Sequence, residues 1–344
     1  MALRVWSPGR VNLIGDHTDY MGGLALPFAI PLGIRFEVEA SENNISLCSD
    51  QDEATCEVRL PCADPAVVEP RWARYVAAVA AEMAATTGLS GTLSSTLPLG
   101  SGLSSSAALC VGTAAALDAA RGVTDWDRRR LSLTAQASEQ RASGVPCGLL
   151  DQYAIAFGET GCATRIDFGA DTVTTVRVPD GVDFWIIHSG VVRELSGSEY
   201  STRRAQCEAA EAVIGPLATA RLDDLEALAG QRDDTLLRRA RHVITENARV
   251  DSMIDAFADE DFDRAGAILC DGHRSLATDF ETSTPVVDAL VDRLVTTPGV
   301  HGARMTGGGF GGCVVAITAP GIDPTPDGLR GWNVRPSAGV HLET

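Results

Sequence analysis

The sequence predicts an α+β protein built as two domains, residues 1–181 and 182–344. Three observations carry this expectation. The chain, at 344 residues, is longer than a single hydrophobic core usually fills. Strand-like runs alternate along it with long amphipathic periods. A Pro-Asp-Gly turn at residues 179–181 marks a division just before a new apolar run. With 45% apolar and 22% charged residues, there is enough apolar material for a substantial core, and disorder is excluded.

Residues 3–6 and 25–39 read as strands. The segment between them, residues 7–23, is too polar and glycine-rich for plain core and reads as a functional loop. Trp72, Tyr75, Val76, Val79, Ala80 and Met83 recur at helical spacing until Gly88 stops the pattern. Such a stripe packs against a core, which is also the reading preferred for Trp72 over a place beside a nucleotide. Residues 107–120 are apolar nearly all round, so that helix belongs in the interior. A strand is expected at 183–188, helices at 201–214, 234–258 and 284–296, and an apolar strand at 313–317. The Pro-rich stretch 320–327 leads to a tail able to return as one more strand, and no internal repeat is visible.

Composition narrows the function classes. A formal charge of −18 argues against general nucleic-acid binding, which needs clustered cations to release counterions. All 28 basic residues are Arg. The absence of Lys excludes the G-x-x-x-x-G-K-[ST] phosphate loop and protein-kinase sites, both of which need a Lys at the phosphates. The nine cysteines are odd in number, scattered and never spaced C-x-x-C, as expected of reduced thiols in the cytoplasm. No signal-peptide pattern opens the sequence and no apolar stretch reaches membrane-spanning length. A cytoplasmic monomer with no nucleic-acid or membrane partner is expected.

The strongest chemical signal is Leu97-Pro98-Leu99-Gly100-Ser101-Gly102-Leu103-Ser104-Ser105-Ser106-Ala107-Ala108, a Gly/Ser loop running into the interior helix. A helix start presents unpaired N–H groups and the positive end of the dipole, and glycines let a phosphate approach the main chain. Ser104 and Ser105 alone would read as N-caps. As a unit, the segment reads as a phosphate site, which lets a Lys-free protein grip a triphosphate.

This loop resembles the second motif of the GHMP kinases. Gly9-Arg10-Val11-Asn12-Leu13-Ile14-Gly15-Asp16-His17-Thr18-Asp19-Tyr20 is similar to the galactokinase signature within that family, and Met305-Thr306-Gly307-Gly308-Gly309-Phe310-Gly311-Gly312-Cys313 resembles its third motif. The three occur in family order and span residues 9–313. The resemblance implies an N-terminal ribosomal-protein-S5-domain-2-like domain and a C-terminal ferredoxin-like α/β sandwich domain. It implies an ATP-dependent sugar 1-kinase that phosphorylates the C1 hydroxyl of galactose and uses Mg²⁺.

Roles follow from the same resemblance. Asp151 is implied as catalytic base and Arg10 as stabiliser of the transferring group. Arg10, Asp16, His17, Asp19, Gly148, Asp151 and Tyr200 are implied as sugar contacts, and Gly100, Ser101, Gly102, Leu103, Ser104, Ser105 and Ser106 as the nucleotide cradle. Ser106 and Glu139 are implied as metal ligands. Carboxylates accept from several hydroxyls at once, which suits a neutral polyol. Asp16 stands where galactokinases usually carry Glu, which makes sugars altered at C6 credible substrates. The alternatives are a C1 kinase for arabinose, galacturonate or N-acetylgalactosamine, and a non-catalytic galactose sensor. The intact Ser104–Ala108 segment speaks against the sensor, and Asp16 near C6 against a uronate. His188, His242, His273, His301 and His341 show no metal-ligand spacing.

Overall fold

The computed structural model describes residues 2–98, 100–191, 197–230 and 233–343; Leu99 of the Gly/Ser loop lies outside them. The first half runs β1 (Leu3–Asn12), β2 (Leu24–Ala25), β3 (Pro27–Ser41), β4 (Asn44–Ser49), β5 (Asp52–Arg59), α1 (Ala73–Glu82), β6 (Gly88–Ser95), α2 (Ser105–Ala120), α3 (Arg128–Ser143), α4 (Leu150–Phe157), β7 (Cys162–Asp167) and β8 (Thr172–Arg177). The second half runs β9 (Asp183–His188), α5 (Gly197–Ile214), α6 (Thr235–Ala258), α7 (Phe262–Thr278), α8 (Pro285–Val295), β10 (Val300–Met305), β11 (Cys313–Thr318), β12 (Gly331–Val334) and β13 (His341–Leu342).

The larger sheet has the order β13-β1-β3-β6-β4-β5, antiparallel except where β4 runs parallel to β6. Beyond Gly33, β3 shows why it is a strand: Ile34, Phe36 and Val38 turn inward while Arg35, Glu37 and Glu39 face water. α2 lies beneath this sheet, buried from Ala107 to Ala119. β2, β7 and β8 form a small separate sheet.

The second half centres on an antiparallel sheet, β10-β11-β9-β12, with helices on one side. Its central strands are buried on both faces and split two apolar clusters by the period of two. Phe184, Ile186, Val315 and Ile317 join the first-half core, where Phe184 meets Phe28 edge-on at 5.4 Å. Ile187, Val314 and Ala316 join a second cluster with Leu276 of α7, Leu290 of α8 and Phe280 between them. The two halves therefore share one continuous hydrophobic core.

The expected tail strand is present, and it returns to the other half: Val5 pairs with Leu342 and Trp6 with His341. The expected loop at residues 7–23 is only partly a loop. Ser7–Asn12 continues β1, with Val11 opposite Phe28 and Asn12 opposite Pro27. Several of its polar groups are paired inside the protein, as where the Ser7 hydroxyl donates to the Ala108 carbonyl at 2.7 Å and the Asn12 amide donates to the Thr306 hydroxyl at 3.1 Å. Sequence polarity here marks buried function.

Candidate active site

β1 delivers Arg10 to the floor of the cleft, after a register shift between Pro8 and Arg10. The guanidinium is 5% exposed, so its partners are protein groups. Nε and Nη2 lie 2.8 and 2.7 Å from Asp151 Oδ1, and Nη1 donates to the Gly102 carbonyl at 2.7 Å. One side chain thus joins the carboxylate of α4 to the backbone of the Gly/Ser loop.

That loop ends at Ser104, whose φ of 63° lies in the left-handed region that a residue with a side chain rarely adopts. Ser104 occupies the N-cap position of α2, yet its hydroxyl makes no cap and donates to Asp151 Oδ2. The carboxylate thus takes the hydroxyl that a cap would have used, in keeping with the preference for a functional loop over plain N-caps. Gly100, Gly102, Ser104, Ser105 and Ser106 line the cavity, with Gly307 and Gly308 of the third motif facing them. Leu103 and Ser101 do not line it: Leu103 is buried, its carbonyl accepting from the Arg10 amide at 3.3 Å, and the Ser101 hydroxyl donates to the Pro98 carbonyl at 2.7 Å. Only their backbones remain for a ligand.

Asp151 sits in the first turn of α4 rather than at a strand end. Glu139 on α3 accepts from the Ser106 hydroxyl and, at 2.6 Å, from Gln152 Nε2. Burial pushes the Glu139 carboxyl up to about 7, and the charge of Asp151 adds to the shift. Among the described residues no group of three or more Cys, His, Asp or Glu could hold a metal. The donor set at Ser106 and Glu139 is two oxygens, which fits a hard cation that completes its shell with phosphate and water.

The remaining sugar-signature residues converge on the same cavity: Asp16, His17, Asp19, Gly148 and Tyr200 all line it. Gly148 has a steric reason to be glycine, since a Cβ there would fall 1.6 Å from Asp19 Oδ2. Burial pushes Asp19 up to about 6, helped by the charge of Asp151. His17 stacks obliquely between Tyr200, at 5.5 Å, and Phe280, at 4.6 Å, and its Nδ1 lies 3.1 Å from the Tyr20 hydroxyl. Every named site residue except Leu103 and Ser101 thus lines one cleft.

Four residues escaped the sequence reading. Tyr75 and Gln152 line the cavity. Arg304 and Glu246 stand behind Asp16, with Arg304 Nη2 2.6 Å from Asp16 Oδ2 and Nη1 2.8 Å from Glu246 Oε1. A cation does stand beside Asp16, but it is fully buried and shared between two carboxylates. Glu246 carried a legible signal: it falls on the apolar stripe of α6, between Val243 and Val250.

Known proteins give the same picture. Residues 3–39 match a family model described as the galactokinase galactose-binding signature, residues 73–159 the GHMP kinases N terminal domain, and residues 253–325 the GHMP kinases C terminal model. Human galactokinase is 37% identical over 334 residues, covering 94% of this chain and 85% of that protein. Galactokinase of Mycobacterium bovis is 40% identical over 327 residues, covering 92% and 89%. The crystal structure of Lactococcus lactis galactokinase complexed with galactose superposes with a TM-score of 0.88 at 28% identity, over 98% of this chain and 94% of that one. Methanococcus jannaschii mevalonate kinase shares the fold, with a TM-score of 0.70 at 17% identity over 98% and 99%. The chain belongs to the galactokinase family of the GHMP kinases.

Proposed function

We propose that the protein transfers the γ-phosphate of ATP to the C1 hydroxyl of galactose, yielding galactose 1-phosphate and ADP. The observation that carries this reading is the Arg10–Asp151 pair, which stands in one cavity beside the N-terminus of α2, where Arg10 Nη1 reaches the Gly102 carbonyl and the Ser104 hydroxyl donates to Asp151 Oδ2. Asp151 accepts the C1 hydroxyl proton as the sugar oxygen bonds to the γ-phosphorus and the bond to the β-phosphate oxygen breaks. Arg10 lies where it stabilises the charge on the transferring group. The amides of residues 100–106 and the dipole of α2 receive the phosphates. Asp16, His17, Asp19, Gly148 and Tyr200 read the sugar, with Asp16 toward C6.

Ser106 and Glu139 would hold Mg²⁺, which when bound offsets phosphate charge and orients the triphosphate. The division between the two domains falls at residues 181 and 182. Nine unpaired cysteines fit a cytoplasmic enzyme.

One observation favours a second reading, a broader scope at C6. Asp16 is shorter than the family's Glu and both its oxygens are engaged by the protein, Oδ2 by Arg304 and Oδ1 by the Gly307 amide at 3.2 Å. A coupled ADP-release panel over galactose, 2-deoxygalactose, arabinose, galacturonate and N-acetylgalactosamine, with phosphorus NMR of the product, tests both. Galactose as best substrate with phosphate on C1 is expected. No turnover of any sugar, or phosphate on another hydroxyl, overturns the proposal.

A further inference from the structure

Arg304 precedes the third motif and lies at the end of β10, where its side chain is wholly buried. Its Nη2 donates to Asp16 Oδ2 at 2.6 Å, its Nη1 to Glu246 Oε1 at 2.8 Å and its Nε to the Met305 carbonyl at 3.2 Å. Glu246 Oε1 also accepts from the amides of Gly15 and Asp16, at 2.9 and 3.3 Å, while Arg249 Nε donates to its other oxygen at 2.7 Å. His242 Nε2 donates to the Asp16 carbonyl at 3.1 Å. Asp16 is therefore held by its amide, its carbonyl and both carboxylate oxygens, and every one of those partners belongs to the second half of the chain. α7 makes room for this arrangement, since a Cβ at Gly272 would lie 2.7 Å from Arg304 Nη1.

Packing alone gives no reason for such a cluster, because a buried ion network stabilises little more than apolar side chains of the same volume. Orientation does give one. A planar guanidinium fork can bridge two carboxylates at fixed angles, which an ammonium cannot. We propose that Arg304 and Glu246 are positioning residues that set sugar selectivity, by fixing the direction in which Asp16 accepts a hydrogen bond from one sugar hydroxyl. The inference rests on the reading of Asp16 as a sugar contact. A site built to bind a hydroxyl rejects the analogue lacking it, and a displacement of 1 Å in such a group costs about 10²-fold.

The test compares kcat/KM for galactose and its 2-, 3-, 4- and 6-deoxy analogues at saturating ATP, in the intact enzyme and in Asp16→Asn, Arg304→Lys and Glu246→Gln. Asp16→Asn identifies the hydroxyl concerned. Arg304→Lys is expected to lower kcat/KM about 10²-fold for galactose but less than about threefold for the analogue lacking that hydroxyl. The KM for ATP stays in place. Glu246→Gln keeps the shape and the acceptor oxygen, so it folds even if Arg304→Lys does not, and it shows the same pattern at about tenfold. An equal loss across all five sugars in both variants overturns the inference and leaves only a structural role. If Asp16→Asn shifts selectivity while the other two variants do not, this inference alone fails. If Asp16→Asn leaves selectivity unchanged at every position, the sugar-contact reading falls and this inference falls with it.

Discussion

The two sides of the cleft are made of different materials. On the side proposed for the sugar stand side chains with charge, Asp16 and Arg10, both buried, and the half-buried Asp19, each tied to a named partner. On the side proposed for the phosphates stand backbone and small residues, Gly100, Gly102, Ser105 and Ser106, at the start of a helix that is otherwise Ala-rich and buried. The difference follows from what each ligand lacks. A neutral polyol offers hydroxyls whose arrangement is read only by acceptors fixed in direction, and fixing them takes a network. A triphosphate offers charge, which a helix N-terminus attracts with no side-chain cation at all. The absence of Lys from the whole chain is thus compatible with tight nucleotide binding.

Asp151 belongs to both sides, with Arg10 on one oxygen and Ser104 on the other, so its loss should have the largest effect. Asp151→Asn is expected to lower kcat at least about 10²-fold, measured by single-turnover phosphoryl transfer with both substrates saturating. Near-normal turnover would remove the base from the mechanism. A smaller effect separates the sides by pH. Burial pushes both Asp16 and Asp19 up to about 6. As pH falls through that value these carboxylates take up protons and lose acceptor capacity, so kcat/KM for the sugar at saturating ATP should drop, by one unit below it, about tenfold for each of the two that the sugar needs ionised. A flat profile down to pH 5 would mean that the sugar side does not depend on ionised acceptors. The smallest effect belongs to the phosphate side. Ser105 is exposed at the mouth, and Ser105→Ala should change the KM for ATP less than about threefold, since its amide remains in place. A larger rise would show that hydroxyls, rather than amides, do the gripping there.

How much of this was legible depended on whether a residue's reason lies near it in sequence. The Gly/Ser loop ahead of α2 was legible because that run and the helix it feeds are adjacent in sequence. α2 was legible from its all-round apolarity, as was β9 from Phe184 to Ile187. α3 was not, since its buried face is only Leu131, Ser132, Ala135 and Ser138, too polar a stripe to stand out. α7 was not, since glycines at 266 and 272 dilute its pattern where β10 and Arg304 approach closely. Ser7–Asn12 reads as loop by composition and is strand, and Ser7, Arg10 and Asn12 find partners at Ala108, Asp151 and Thr306, far along the chain. Arg304 and Glu246 belong to the same class: 58 residues separate them, and 288 separate Arg304 from Asp16. A charge explained only by such distant partners looks, in sequence, like a solvated one.

The return of β13 to the edge of β1 has a practical consequence. Ser337 donates its amide to the Ala29 carbonyl at 2.8 Å and Val340 to that of Ile155 at 2.9 Å, so the tail is stitched across the opposite half before it pairs. Cutting the gene between residues 181 and 182 would leave one piece with a bare sheet margin inviting a neighbouring molecule to fill it, and the other with a strap closing on nothing. Split-protein reporters and truncation libraries should therefore keep the tail on the same piece as β1.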